Sequence, residues 1–265
     1  MHWSLRTGLA ALALVAAPAM ARADDMPDLS VNRPGLDTPP TTLSAGRVVV
    51  EVSAADWEFS TSPAGRDDSL AFADTVVRLG LGHATEIEVG LGGWTRQRSR
   101  VGAAVSTLSG LGDATFAVRH GFGGEADAKV AVEGFVSAPV GRAPGGAGDW
   151  GAGLLLPVAL PLMAGFTLAT TPEIDAAVNA SGHGRHLAWG SVVGLSHALT
   201  RTVCASAEVS AFRDEDPDGA STESRLALAA AWHAAPRLQI DVEFDTGLTH
   251  ATPDHALIVG FARQF

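Results

Sequence analysis

Residues 238–245, Leu-Gln-Ile-Asp-Val-Glu-Phe-Asp, alternate without a slip between apolar and polar side chains. Leu238, Ile240, Val242 and Phe244 are set against Gln239, Asp241, Glu243 and Asp245. Successive side chains of a β-strand point to opposite faces, so this segment is a ribbon with one oily and one acidic face. A half-buried strand of a soluble sheet shows the same pattern, so the rest of the chain has to say which face meets water.

The pattern recurs. Val48, Val50 and Val52 share a face, after which a slip of phase, as from a bulge, sets Trp57 and Phe59 against Asp56 and Glu58. A polar loop at 60–69 precedes a hairpin in which Val77, Leu79 and Leu81 oppose Asp74 and Arg78. After a turn at 82–85, Ile87, Val89 and Leu91 oppose Glu86 and Glu88. A long loop expected at 95–108 leads to Phe116 and Val118 against Arg119, and a shorter link at 121–126 to Val130, Val132 and Val136 against Lys129 and Glu133. Beyond the glycine-rich loop at 138–149, the pair at 151–160 and 165–175 is weakened by Pro157 and Pro161, which donate nothing to a ladder. Further strands follow at 187–195, 203–210, 226–232 and 255–265, with Glu208 and Arg225 on polar faces. The connections alternate long and short over about twelve strands, as in a transmembrane barrel with both termini in the periplasm.

The N-terminus points the same way. Arg6 precedes a short apolar run at 8–17, and Ala21-Arg22-Ala23 supplies small residues two apart, the layout of a secretory signal cut after Ala23. That run is too short to span a bilayer as a helix. Residues 24–46, rich in proline, are expected to be an irregular periplasmic lead rather than a plug, with the barrel filling 47–265. The single cysteine, Cys204, allows no internal disulfide. A formal net charge of -11 argues against nucleic acid as a partner. The 30 glycines and the scarcity of helical periodicity favour an all-β chain. The expected fold is therefore an antiparallel up-and-down transmembrane β-barrel of about twelve strands, with long extracellular loops and short periplasmic turns. The competing fold is a secreted soluble β-sandwich. It draws support from the complete lack of tyrosine, usual in aromatic girdles, although Trp57, Trp94, Trp150, Trp189 and Trp232 fill part of that role.

Several segments together resemble the outer-membrane, transporter-like family named for the meta-cleavage pathway of phenol degradation. Asn32-Arg33-Pro34-Gly35-Leu36-Asp37-Thr38, followed by prolines and Gly46, is similar to the segment ahead of that family's first strand. Val77-Arg78-Leu79-Gly80-Leu81 with Glu86-Ile87-Glu88-Val89 resembles its first periplasmic hairpin, and Gly110-Leu111-Gly112-Asp113 its glycine–aspartate motif. The 245–249 stretch, Pro253-Asp254 and Val259-Gly260-Phe261 with Phe265 look like its last hairpin. Arg263 and Gln264 depart from its more usual tyrosine-rich ending. The resemblance implies an outer-membrane barrel and a transport role for small, aromatic or otherwise hydrophobic solutes.

The polar faces supply the candidate site. Asp74, Glu86, Glu88, Glu133, Glu208, Asp241, Glu243 and Asp245, with Arg78, Arg119, Lys129 and Arg225 as counter-charges, are expected to face the lumen. They either line a water-filled path or pair with one another in a filled interior. Twelve strands lie between the filled eight-stranded and open sixteen-stranded cases. Phe265 is the expected insertion signal, read by the barrel-assembly machinery through the C-terminal strand, and outer-membrane lipid the expected surroundings. No cofactor, catalytic group or metal is expected. Asp214-Glu215-Asp216-Pro217-Asp218-Gly219 begins like a calcium loop, but the position for the closing bidentate acid holds Arg225. His183 and His186 offer two ligands without a shell. Ser196 and His197 are adjacent, hence on opposite faces of a strand, which spoils a nucleophile–base pair. The function expected is passage of a small solute across the outer membrane; a barrel without transport and an adhesin-like use of the loops are the alternatives.

Overall fold

The computed structural model describes residues 29–123 and 129–265. The signal segment expected at 1–23 lies outside the described residues, as does part of the 121–126 link. The strands are β1 (Val48–Thr61), β2 (Arg66–Phe72), β3 (Asp74–Gly82), β4 (Thr85–Leu91), β5 (Trp94–Val101), β6 (Ala104–Leu111), β7 (Ala114–Phe122), β8 (Val130–Ala138), β9 (Gly151–Leu155), β10 (Val158–Pro161), β11 (Phe166–Val178), β12 (Arg185–Ala198), β13 (Val203–Asp214), β14 (Ser221–Ala235), β15 (Leu238–Gly247) and β16 (His255–Gln264). Every pairing is between antiparallel neighbours, and β1 pairs with β16, from Val49 opposite Gln264 to Phe59 opposite His255. The result is a closed barrel of twelve staves, four of them made of two strands in line: β2 with β3, β4 with β5, β6 with β7, and β9 with β10.

Each interruption has a local cause. Ala73, at φ 59, breaks the second stave, and the third and fourth break beside it at Gly92–Gly93 and Gly112–Asp113. Hydrogen bonds from Gly92 N to Asp113 O (2.8 Å) and from Gly112 N to Gly93 O (2.9 Å) carry the pairing through the break. The backbones approach so closely there that a Cβ on Gly92 would lie 2.6 Å from Gly112 Cα. Pro157 separates β9 from β10, because it offers no N–H to the ladder. In β1 the register against β16 shifts between Ser53 and Ala55, a bulge that moves the inward set from Glu51 and Ser53 to Asp56 and Glu58.

β5 and β6 overturn one expectation. Residues 95–108, expected to be a loop, form a hairpin turning at Gly102. It extends the third and fourth staves beyond the break, and most of its side chains are exposed on both faces. With Arg96, Gln97, Arg98, Ser99 and Arg100 in succession there is no oily face, and therefore no alternation to betray a strand.

Burial is inverted relative to a soluble protein. Along β15, Ile240, Val242 and Phe244 are 42–45% exposed, whereas Gln239, Asp241, Glu243 and Asp245 are 2–6% exposed. The same holds around the wall: Leu91, Phe116, Val118, Ile174, Val209 and Leu228 face out, and Glu51, Arg78, Glu86, Arg119, Glu133 and Glu208 are buried. An exposed apolar belt around a polar interior suits hydrocarbon outside the barrel. Among the described residues no helix is long and apolar enough to cross a membrane; the strands do the spanning.

The lead is the second correction. Its described part, residues 29–46, is not an appendage below the barrel: it runs through the interior and hydrogen-bonds to β1, β4, β11, β13 and β15. Prolines do deny it regular structure, and for that reason its backbone N–H groups are free to bond to the wall.

Candidate functional site: an acidic lumen holding an inserted segment

Strand alternation alone puts the site together. Arg78 on β3 faces Glu51 on β1 and Glu86 on β4, and Arg119 on β7 faces Glu88 on β4 and Glu133 on β8. The Arg78 guanidinium lies 2.9 Å from Glu51 Oε1 and 2.7 Å from Glu86 Oε1. That of Arg119 lies 2.7 Å from Glu133 Oε2, 2.8 Å from Glu88 Oε1 and 3.2 Å from Glu86 Oε1. Both arginine side chains are fully buried. Two cations shared among four carboxylates leave the cluster with an excess of negative charge, and buried carboxylates without partners are costly.

The inserted segment supplies the missing donors. Asn32 N donates to both oxygens of Glu51 (3.0 and 3.1 Å), Arg33 N to Glu51 Oε2 (3.1 Å) and Leu43 N to Glu86 Oε2 (2.7 Å). On the opposite wall Gly35 N donates to Glu243 Oε2 (2.9 Å), while Leu36 N and Asp37 N both donate to Glu208 Oε2 (2.6 and 2.9 Å). Thr38 N donates to Thr171 Oγ1 (3.0 Å). Arg33 carries the one long cation of this stretch across the lumen to Asp241 Oδ1 (2.9 Å), and Gln239 Nε2 donates to Arg33 O (2.8 Å). Charge-assisted bonds of this kind contribute about 1.5–3 kcal/mol each. Asp37 feels the same wall from the other side: burial, and then the negative charge of Glu208, push its carboxyl up to about 7.

Gly35 shows how closely the segment fits. It sits at φ 114, and a Cβ there would lie 2.3 Å from Glu208 Oε1. The backbone conformation disfavours any side chain there, and a Cβ would also push the Glu208 carboxylate from its place. The segment leaves the lumen by pairing with β3 near its periplasmic end, Gly46 N donating to Gly80 O (2.9 Å) and Gly80 N to Arg47 O (3.0 Å).

Of the residues singled out from the sequence, the structure brings Arg78, Glu86, Glu88, Arg119 and Glu133 into one cluster, and Glu208, Asp241 and Glu243 onto the inserted segment. Asp245 pairs with Arg225 at 3.3 Å nearer the outer mouth, where Glu58 and Glu223 also approach Arg225. Asp74 is exposed and borders the outer cavity, and Lys129 is exposed just before β8. Phe265 N donates to Val48 O (2.8 Å), fastening the last residue onto the first strand. Glu51, Asn32, Arg33 and Asp37 join the site without being among the residues expected to face the lumen, although the last three stand in the family-like Asn32–Thr38 stretch. Glu51 was legible, since it alternates with Val50 and Val52; the other three carry no periodic signal.

The inserted segment divides the interior. Below it lies a cavity of about 600 Å³ bordered by small side chains such as Ala159, Ala169, Ala205 and Ala229 and by the polar groups of Arg33, Asp37, Arg47, Glu208, His233 and Gln239. Above it lies one of about 470 Å³ bordered by Asp74, Thr115, Glu133, Phe135 and Ser137. The loop after β8 folds over this outer cavity, tied down by Gly141 N and Ala147 N donating to Asp113 Oδ1 and Oδ2 (2.9 and 2.7 Å).

A family model described as "putative MetA-pathway of phenol degradation" matches residues 31–265, so it takes in the inserted segment as well as the barrel. The chain belongs to this family. Among solved structures, this phenol-degradation family barrel is similar to an outer membrane channel from Pseudomonas putida F1, with 13% identity, 85% of this chain and 97% of that chain covered, and a TM-score of 0.67. It is also similar to the β domain of the autotransporter BrkA from Bordetella (14% identity, 84% and 100% covered, TM-score 0.57). The translocator domain of the autotransporter NalP from Neisseria meningitidis gives 15% identity, 84% and 90% covered, and a TM-score of 0.54. At these identities the likeness is one of fold, an outer-membrane β-barrel. A search of curated proteins finds no match to the family barrel described here.

Proposed function

We propose that the protein is an outer-membrane channel for a small solute, closed in the present state by residues 29–46 and opened when they leave the acidic wall. The observation that carries this reading is the way the segment is held. It is held by hydrogen bonds from its backbone N–H groups to Glu51, Glu86, Glu208 and Glu243 and by the Arg33–Asp241 ion pair, with Leu29 and Leu43 buried beside them, so it is displaced by exchanging those contacts for water or solute rather than by unfolding the barrel. The cavity beneath it, bordered by small side chains and by polar groups, has room for a small solute, and the family's name directs attention to phenol and related aromatics. Of the set Asp74, Arg78, Glu86, Glu88, Arg119, Lys129, Glu133, Glu208, Arg225, Asp241, Glu243 and Asp245, those that bond to the segment (Arg78, Glu86, Glu88, Arg119, Glu208, Asp241 and Glu243) then have two duties, holding it closed and lining the path once it is open, and the others serve only the path. Export through a signal cleaved after Ala23, and recognition of the Phe265 strand by the assembly machinery, belong to the same proposal. We assign the chain no catalytic role.

Planar-bilayer recording of the refolded protein tests this. The full chain is expected to show small or infrequent openings, and a variant lacking residues 29–44 sustained conductance. A deletion variant that folds, by its heat-modifiable migration, yet never conducts would favour a barrel with no transport role.

A further inference from the structure

Two motifs that carry little weight separately in the sequence meet at the outer rim. His186, at the start of β12, lies against Asp214, at the end of β13, and Asp216 in the following loop. One ligand atom from each of the three lies within 4.8 Å of those from the others. The His186 side chain is 95% buried although it stands at a loop-bearing edge. Its Nδ1 is 2.9 Å from Asn179 Oδ1, and the orientation of that amide is set by Asn179 Nδ2, which donates to His183 O at 2.8 Å. Nδ1 therefore carries the proton, and in the neutral ring Nε2 presents a lone pair. That lone pair lies 2.8 Å from Asp214 Oδ1 without forming a hydrogen bond. An acceptor buried against a carboxylate oxygen calls for a positive charge between them, either a proton, which makes an imidazolium–carboxylate pair, or a metal cation. Two ligand atoms about 2.1 Å from a shared cation stand about 3.0 Å apart in octahedral geometry, close to the 2.8 Å between Nε2 and Asp214 Oδ1, while Asp216 Oδ2 lies toward the other edge of the ring, 3.5 Å from Nδ1, and completes the group of three within 4.8 Å.

We propose that His186 Nε2, Asp214 and Asp216 bind a divalent first-row transition cation of the Zn²⁺ class at the extracellular rim. The imidazole ligand selects against Ca²⁺ and Mg²⁺, which prefer oxygen-only shells. Asn179 plays the positioning part, holding the ring in the ligating tautomer. The carboxylates are held as well: Asp216 Oδ2 accepts from Ala180 N (2.6 Å) and Asp214 Oδ1 from Asp216 N (2.9 Å). The nearby cations are already engaged, Arg213 with Glu215 at 2.8 Å and Arg185 with Asp149 at 3.8 Å. A bound ion would join the 178–185 and 214–221 loops.

Zn²⁺ titrated calorimetrically into the refolded full chain in detergent is expected to fill one site, and Co²⁺ to give visible ligand-field absorption from the same site. His186→Gln and Asp214→Asn should abolish both signals, and Asn179→Ala should weaken binding roughly tenfold or more, with heat-modifiable migration unchanged in all three. In the wild type Zn²⁺ should also slow proteolysis within 213–223. Absence of saturable Zn²⁺ binding by the wild type, equal affinity in the His186 and Asp214 variants, or binding of Ca²⁺ in preference to Zn²⁺ would overturn the assignment.

Discussion

At the scale of single residues, closure depends on a small number of positions on the inserted segment. Gly35 is the most exacting. Gly35→Ala brings a methyl group to within 2.3 Å of Glu208 Oε1 at a φ that L-residues avoid, strain of about 1–3 kcal/mol. The segment should seat less well while the barrel stays folded, read as more frequent channel openings with an unchanged gel shift. Asp37 gives the closure a pH dependence. Its carboxyl is raised to about 7 in the seated segment by burial and by Glu208, so seating takes up a proton. Stabilisation from this group is fully present below about pH 4 and is lost as pH rises through about 7. Openings should therefore increase between pH 5 and 8, and Asp37→Asn should flatten that rise by removing the ionisable group. A conductance that falls over the same interval would contradict the assignment of this carboxyl.

At the scale of elements, strands with one lipid face were legible and segments without one were not. β15 and β4 alternate because hydrocarbon and lumen impose opposite demands on consecutive side chains, and the Ser53–Ala55 bulge announces itself as a change of phase. The β5–β6 hairpin stands where both faces are exposed, so its sequence has no reason to alternate and reads as a loop. The inserted segment misleads differently: its prolines truthfully report the lack of regular structure, and irregular backbone is what leaves N–H groups over for the wall. The lumen arginines and acids follow from strand phase, whereas their division between Arg–Glu pairing and holding the segment depends on Asn32, Arg33 and Asp37, which stand in a family-like stretch but in no periodic pattern that would give them a place. The break across three staves is testable at this scale. Gly92→Ala would press a Cβ to 2.6 Å from Gly112 Cα, backbone against backbone with no flexible end to yield. The folded barrel should lose about 1–3 kcal/mol, seen as a lower urea midpoint, with little effect on closure of the lumen.

At the scale of the whole molecule, one chain provides both the wall and its occupant. Residues 44–47 are all that separate the last donor of the inserted segment, Leu43, from the first strand. A tether this short keeps a released segment in the neighbourhood of its own acceptors, at an effective concentration on the order of millimolar. A solute that competes for Glu51, Glu208 and Glu243 must match that local concentration, weighted by its own affinity, before it holds the lumen open. Traces of ligand would therefore leave the barrel shut, and permeability would rise only once the solute is abundant outside, so that the outer membrane keeps its barrier through scarcity and relaxes it in plenty.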